Sequence, residues 1–246
     1  MIRFFRQIRQ RLVTDNKFSK YLLYAVGEIL LVVIGILIAL QIDNWNEGIK
    51  QDKRELILLS ELRSNLITNV KNLESDIKLQ TKSIRSFEHI LRLPNEKLPF
   101  NDSISKYLFD IDYCPDVLLI TSAFQTMKSS GLEIIRSDSL RMAVVNLYEV
   151  GYPELMQETK RLEDQLWPAV VMPLFQKHFR MSNSNYIPND YDNWLKDTEF
   201  FNMVSIRLAL RNTSTIYKKK TVQQTNAVIR LIDKEFESRK TSTKSS

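Results

Sequence analysis

The side chains best suited to chemistry in this chain of 246 residues are few and lie far apart. His89 and His178 are its only histidines, and neither belongs to a Glu-x-x-His or His-Glu-x-x-His pattern, which would place metal ligands on one helix face. We expect His89 to be solvated near a helix end and His178 to face solvent.

A short acidic stretch is the other place where a cation might bind. Asp110, Asp112 and Asp116 are close in sequence, but the spacing and the terminal glutamate of an EF-hand are missing, so we predict a solvated loop. Cys114 is the only cysteine, which excludes an internal disulfide and a cysteine-rich zinc site. The sequence therefore predicts no metal site and no cofactor.

Ser129, Ser130 and Gly131 form the one serine-glycine cluster that suggests a nucleophile or a phosphate cradle. Neither a G-x-S-x-G elbow nor the glycines of a Walker loop accompany them. A helix C-cap is the favoured interpretation, and a recognition turn between helices is the alternative. We therefore expect no catalytic residues and predict that the protein is not an enzyme.

Glu28 is a carboxyl group inside an apolar run, residues 21–42, of which 14 are Leu, Ile or Val. On a helix, Glu28, Val32, Gly35 and Ala39 share one face, and Gly35 and Ala39 have the small-xxx-small spacing of closely packed membrane helices. Contact with another helix, a tolerated glutamate and a proton relay all remain open. The four residues are the candidate helix-contact face.

The apolar run predicts a membrane-spanning helix. Its 14 aliphatic residues favour insertion by about 4–8 kcal/mol, while Glu28 opposes insertion by about 3 kcal/mol. Twenty-two residues at about 1.5 Å each are long enough to cross the hydrocarbon core. The run exceeds a signal-peptide core and lacks a small-x-small cleavage site, so we expect an uncleaved single-pass anchor.

The flanks of the span predict its orientation. Residues 1–20 carry six basic side chains and one acidic one, whereas Asp43 and Glu47 follow the span. The positive-inside rule then places residues 1–20 in the cytoplasm, as a basic amphipathic arm on the lipid surface or as an unstructured flank. The remaining chain, residues 43–246, carries 29 basic and 27 acidic groups, so no nucleic-acid partner is expected. Lys218, Lys219 and Lys220 lie on one predicted helix with Arg207, Arg211 and Arg230. A solvated face is the favoured interpretation, and contact with lipid head groups or an acidic partner is the alternative.

The elements that must position these residues are predicted to be helices. Residues 46–92 lack proline and repeat apolar residues every seven positions, in one series from Leu56 and another from Leu59, interrupted at Arg63 and Gln80. Residues 198–238 lack glycine and proline and are predicted to form a second long helix. The predicted fold is all-α: a transmembrane helix that continues into an antiparallel bundle at 43–238, with a disordered tail at 239–246.

Shorter elements are predicted between the two long helices. Ser122 and Asp138 suit helix N-caps, Gly131 and Gly151 suit helix ends, and residues 182–193 suit a loop. Proline at 168 and 173 is expected to kink or break a helix.

Two stretches resemble a known family: NKFSKYLLYAVGEILLVVIGILIALQIDNWNE at 16–47 and, less specifically, SAFQTMKSSGLEIIRSDSLR at 122–141. They are similar to a large family of uncharacterised single-span envelope proteins of Gram-negative bacteria, known only as a domain of unknown function. The resemblance implies an inner-membrane anchor and a periplasmic helical domain, and it implies no reaction and no site residues.

Two functions remain open at this point. One is a membrane-anchored interaction or scaffolding module that contacts the lipid bilayer and an envelope protein, or a second copy of itself, through the span. The other is an extracytoplasmic ligand-sensing module that acts through a partner. A ligand pocket near residues 122–141 would support the second function, and a fully packed bundle would count against it.

Overall fold

A computed structural model of the protein describes residues 18–96, 98–112, 117–183 and 185–244. The described residues do not include most of the predicted arm, Cys114, Asp116 or the last two residues of the chain. The chain divides into two compact units, 1–55 and 56–246. Over the described residues it is almost entirely helical, which confirms the all-α prediction.

The described residues form eight α-helices, one β-hairpin, one short 3-10 helix and two π turns. The helices are α1 (Phe18–Glu96), α2 (Asp102–Asp112), α3 (Ser122–Ser130), α4 (Asp138–Asn146), α5 (Tyr152–Leu166), α6 (Met172–His178), α7 (Tyr191–Trp194) and α8 (Thr198–Lys244). The 3-10 helix is Leu132–Ile134, the π turns are Leu147–Gly151 and Trp167–Val171, and the strands are β1 (Phe179–Ser182) and β2 (Asn185–Pro188).

Helix α1 is continuous between Asp43 and Lys50, where a break would have separated the predicted span from the helix after it. Among the described residues it is the one helix long and apolar enough to cross a membrane, with an 18-residue stretch of mean hydropathy 2.6 that is not buried at all. Large apolar side chains along residues 26–42 are exposed, Leu31 to 74%.

In the second unit, α1 and α8 run antiparallel. Arg63 pairs with Asp233, Gln80 with Ser214, and Phe87 lies under Arg207, so residue numbers rise along one helix as they fall along the other. The prediction of an antiparallel bundle with two long helices is therefore confirmed.

Two apolar clusters fill the bundle. One contains Leu59 and Leu66 of α1 with Phe124, Tyr148 and Ile232. The other contains Phe87 of α1 with Leu108, Phe175, Trp194 and Phe200. Different parts of α1 and α8 contribute to the two clusters. The parts of these helices between the clusters are therefore buried by residues that belong to neither cluster.

The buried stripe of α1 differs from the predicted one. The series from Leu59 is buried at Leu66, Leu73 and Phe87, as expected, and also at its polar interruption Gln80, but the series from Leu56 is only half-buried. Its place is taken by Leu62, Asn69, Asp76, Ser83 and Ile90. Three of these five are polar, which is why their spacing gave no apolar periodicity.

The helical path from Asp138 to His178 is also more continuous than predicted. Gly151 does not end a helix: it has φ −63° and lies in the first π turn, directly before α5. Pro168 lies in the second π turn and Pro173 in the first turn of α6, so the prolines alter the helix without breaking the path. A π turn accommodates an extra residue while the backbone stays helical.

Three further local predictions are wrong. The predicted loop at 182–193 is largely structured: it includes the end of β1, all of β2 and most of the short α7. Thr121 and Ser137, not Ser122 and Asp138, hold the cap positions of α3 and α4; the Ser137 hydroxyl accepts a bond from the Leu140 amide. Each predicted cap is therefore one residue late.

The end of the last helix is also corrected. Helix α8 continues to Lys244, six residues past the predicted boundary at 238. Arg239 pairs with Glu235 one turn earlier, and the Thr241 hydroxyl donates to the Glu237 carbonyl. With no glycine or proline in this stretch, nothing local ends the helix.

Candidate functional site

The predicted helix-contact face lies on α1 in the first unit. Glu28, Val32, Gly35 and Ala39 are all exposed. A Cβ atom at Gly35 would meet nothing within 4 Å, so this side of the helix is open to close approach. The structure thus places the four residues on an uncovered helix surface.

The predicted recognition turn lies at the end of α3. Gly131 has φ +94°, a conformation that favours glycine, and its amide bonds to the Lys128 carbonyl, so the helix-end interpretation is confirmed for this residue. The Ser129 hydroxyl donates to the Thr126 carbonyl at 2.9 Å, and both serines are exposed. A Cβ atom at Gly131 would lie 2.8 Å from Oε2 of Glu133.

A surface cleft of about 480 Å³ adjoins this turn. Its lining is mainly apolar, with Leu132, Met142, Val145 and Val150, and Met142 is 68% exposed. Glu133, Arg141 and Asn146 supply the polar groups of the lining. The cleft is therefore an open, mostly apolar depression with charges of both signs.

The sequence did not predict the most unusual feature of the domain, a polar layer buried between α1, α5 and α8. We define it by Asn69, Asp76 and Gln80 of α1, Tyr152 and Glu163 of α5, and Arg207, Arg211, Ser214, Lys218 and Thr225 of α8, all of which are buried. Burial of so many polar groups is costly unless they pair with one another.

Lys218 is the cation at the centre of the layer, 2% exposed. Its ammonium group pairs with the Asp76 carboxylate and donates to Oε1 of Gln80 at 3.0 Å. Nε2 of Gln80 in turn donates to the Ser214 hydroxyl at 3.1 Å. Asp76 and Gln80 are one helical turn apart, so both reach the same point of α8.

Glu163 is the anion that α5 contributes. Its Oε2 accepts from Nη2 of Arg207 at 3.2 Å and lies 3.5 Å from Nη2 of Arg211. The Arg207 guanidinium also donates to the Asp112 carbonyl and lies 5.7 Å from the centre of the Phe87 ring. One carboxylate thus joins α5 to two successive turns of α8.

Tyr152 closes the layer at the other end of α5. Its hydroxyl accepts from Nδ2 of Asn69 at 3.2 Å and lies 3.4 Å from the Thr225 hydroxyl. Burial raises the pKa of Tyr152. Asn69 also exchanges two bonds with the backbone of Ile120, at 2.7 and 3.0 Å, which ties the segment before α3 to α1.

The layer overturns one prediction directly. Lys218, Arg207 and Arg211 were expected on a solvated face and are instead buried. Lys219 and Lys220 are exposed as expected, and Lys220 pairs with Glu154 of α5 at 2.8 Å. The lysine run is therefore divided, with one residue inward and two outward.

His178 is also buried, contrary to the prediction. Its Nε2 lies 2.7 Å from Oδ2 of Asp197, which accepts from Lys177 at 2.6 Å, while Oδ1 accepts from the amides of Glu199 and Phe200. The bond from Lys177 contributes most to holding the pKa of Asp197 well below its ordinary value, opposed by burial. Asp197 thus caps α8 and joins it to α6.

The side chains of the remaining candidates are not part of the polar layer. His89 is exposed, as expected, and stacks on Tyr107 with ring centres 4.7 Å apart. Asp110 and Asp112 lie in α2, not in the predicted solvated loop: Asp110 pairs with Lys82, and Asp112 accepts from the Tyr186 hydroxyl. Within the described residues, no group of three His, Cys, Asp or Glu side chains is arranged to hold a metal ion.

The layer predicts a strong coupling between Asp76 and Lys218. Lys218→Met should destabilise the protein by about 3–5 kcal/mol, because it leaves the Asp76 charge buried without its partner. The double variant Asp76→Leu/Lys218→Met should regain most of this loss, since no charge is left unpaired. Thermal unfolding of the full-length chain in detergent, followed by near-ultraviolet circular dichroism, measures both.

Lys219→Met is the matched control, because Lys219 is exposed on the same helix, and it should change stability by less than about 0.5 kcal/mol. A double variant as unstable as the sum of the two single variants would contradict the coupling.

The Asp197 cluster predicts a pH dependence. Because the pKa of Asp197 is lower in the folded than in the unfolded state, its stabilising contribution is complete above the unfolded pKa of about 3.9 and is lost as pH falls below it. Asp197→Asn should therefore be less stable than wild type at pH 7, and the difference should shrink below about pH 4. Melting temperatures across this range measure it, with exposed Asp192→Asn as the control. A difference that is constant with pH would rule out the charge as the cause.

These features define a class before any comparison: an all-α protein with a long exposed apolar helix near its N-terminus and a helical domain built around a buried polar layer. A family of unknown function, DUF6090, matches residues 28–213, more than two thirds of the chain, and the chain belongs to that family. The matched region begins at Glu28 and ends within α8, after Arg211 and before Lys218. Comparison with curated proteins and with solved structures gave no match.

Proposed function

We propose that the protein is a single-pass anchor of the bacterial inner membrane, with residues 1–20 in the cytoplasm and the helical domain in the periplasm. The observation that carries this proposal is the continuous row of exposed aliphatic side chains along residues 26–42 of α1. In water this surface would be strongly unfavourable, whereas in a bilayer it is the expected one. The basic flank before the span and the resemblance to single-span envelope proteins support the orientation.

The same proposal assigns the protein an interaction or scaffolding role rather than a reaction of its own. The domain outside the span is held together by two apolar clusters and a paired polar layer, which suits a stable platform. The face of Glu28, Val32, Gly35 and Ala39 is the proposed contact surface within the membrane, because its small residues let another helix approach closely. Its occupant is an envelope protein or a second copy.

Cysteine crosslinking in native membranes tests the contact face. Single cysteines at Val32, Gly35 and Ala39, in a Cys114→Ala background, should form crosslinked adducts with a neighbouring span. Cysteines at Leu30, Ile34 and Leu37 are the matched controls, because they lie on roughly the opposite side of α1, and they should give few adducts. Equal adducts from both faces, or none from either, would contradict the contact surface.

Maleimide labelling tests the orientation of the span in the same Cys114→Ala background. Ser129→Cys, at an exposed position of the helical domain, should react with a membrane-impermeant maleimide added outside spheroplasts. Ser19→Cys should react only after permeabilisation. The reverse pattern would overturn the proposed topology.

A second function, ligand sensing through a partner protein, is favoured by one observation. The cleft beside Gly131 lies next to residues 122–141, where the sensing function requires a ligand pocket. Val150 of the lining belongs to the first π turn, directly before α5, so an occupant of the cleft would touch the segment that carries Tyr152 and Glu163 into the polar layer. Through such a contact, a ligand bound at the surface would act on the buried charged residues of the polar layer.

Small aromatic carboxylates are suitable probes of the cleft, since they match its apolar lining and Arg141. In saturation-transfer NMR with the full-length chain in nanodiscs, any such probe that binds the cleft should lose its signal in Val145→Trp, which fills the cleft. Ile216→Trp, at an exposed position of α8, should leave the signal unchanged. A set of probes with no signal sensitive to Val145→Trp would count against sensing at this cleft.

A further inference from the structure

Glu28 is a carboxyl group in an apolar segment, and the described residues supply no cation to pair with it. It lies in the most apolar part of α1, and no described residue forms a hydrogen bond or ion pair with it. Residues 21–42 contain no lysine, arginine or histidine. The nearest base before it, Lys20, is about 12 Å away by helical rise, beyond the reach of an ion pair.

A second copy of the chain would not solve the problem either. Two copies with the same orientation place their spans in parallel, so contact through this face brings a second glutamate to the same depth and no base. Two carboxyl groups close together in hydrocarbon must take up protons or repel each other. A partner that carries a base at this depth compensates the charge without any proton uptake.

We propose that the occupant of the face is a transmembrane helix of a different protein that carries a lysine or arginine at the depth of Glu28. This inference rests on the proposed membrane span and identifies its partner by charge. Ionisable groups inside membranes are commonly paired with one another across helices. Gly35 and Ala39, two and three turns further along the same face, let the backbones approach, so a long basic side chain reaches the carboxylate.

The test uses the crosslinked adduct of Gly35→Cys in native membranes, with the partner peptide identified by mass spectrometry. The partner span is expected to contain a lysine or arginine level with Glu28. Glu28→Gln should reduce the adduct roughly tenfold, the scale of one interhelical polar contact, and Glu28→Lys should reduce it further. Replacement of the partner's base by glutamate should restore the adduct with Glu28→Lys. Glu47→Gln, outside the span, should leave it unchanged.

The other outcomes each overturn the proposal. An adduct of twice the chain's own mass indicates self-association, and an adduct unaffected by Glu28→Gln shows that the charge is not used. A Glu28-dependent adduct with a partner span that lacks a base indicates a protonated carboxyl group. In all three cases the contact face itself stands, whereas the absence of adducts from Val32, Gly35 and Ala39 alike would refute the face and the partner together.

Discussion

Three basic side chains of α8 are buried in the middle of the helical domain and pair with two carboxylates from other helices: Arg207 and Arg211 with Glu163, and Lys218 with Asp76. A buried charge that loses its partner costs about 3–5 kcal/mol. Apolar surfaces of long helices can pack in several alignments, but paired charges tolerate few. We infer that the polar layer selects the alignment of α1, α5 and α8, and that the two apolar clusters supply most of the stabilisation.

The first unit presents the opposite case. Glu28 is a single carboxyl group on an apolar helix, and no described residue pairs with it. In the helical domain every acidic group of the polar layer has a cation nearby, so the chain compensates its charges where it folds on itself. This contrast sets Glu28 apart from the acids of the polar layer. Because the chain itself supplies no partner for Glu28, we infer that a group outside the chain does.

The sequence predicted the parts of the fold that depend on apolar periodicity and on helix length. The two long helices, their antiparallel arrangement and the glycine at the end of α3 followed from patterns that are local and unambiguous. The polar layer did not, because Asn69, Asp76 and Lys218 are the residue types normally found in solvent. Asn69 and Asp76 each follow a buried leucine, Leu66 and Leu73, by three residues, and this helical spacing was the available indication. It needed the facing helix, more than 130 residues away, to become interpretable.

Other misses have local causes. The hairpin of β1 and β2 consists of two four-residue strands, too short for alternation to stand out from a loop. The sequence predicts a solvated His178 because its partner Asp197 lies beyond the hairpin. For the candidate site, the sequence located Glu28 and its face from composition and helical spacing, and the structure places that face on an exposed helix surface.

The two π turns on either side of α5 are places where the chain can change in length by one residue and keep its fold. A π turn is equivalent to an α-helix into which one residue has been inserted, with the surplus kept within a single turn. Removal of one residue from Leu147–Gly151 or Trp167–Val171 would restore ordinary helix and leave the segments beyond it in nearly their present orientation. These are thus the positions at which single-residue gaps and insertions among relatives can be absorbed without loss of the fold.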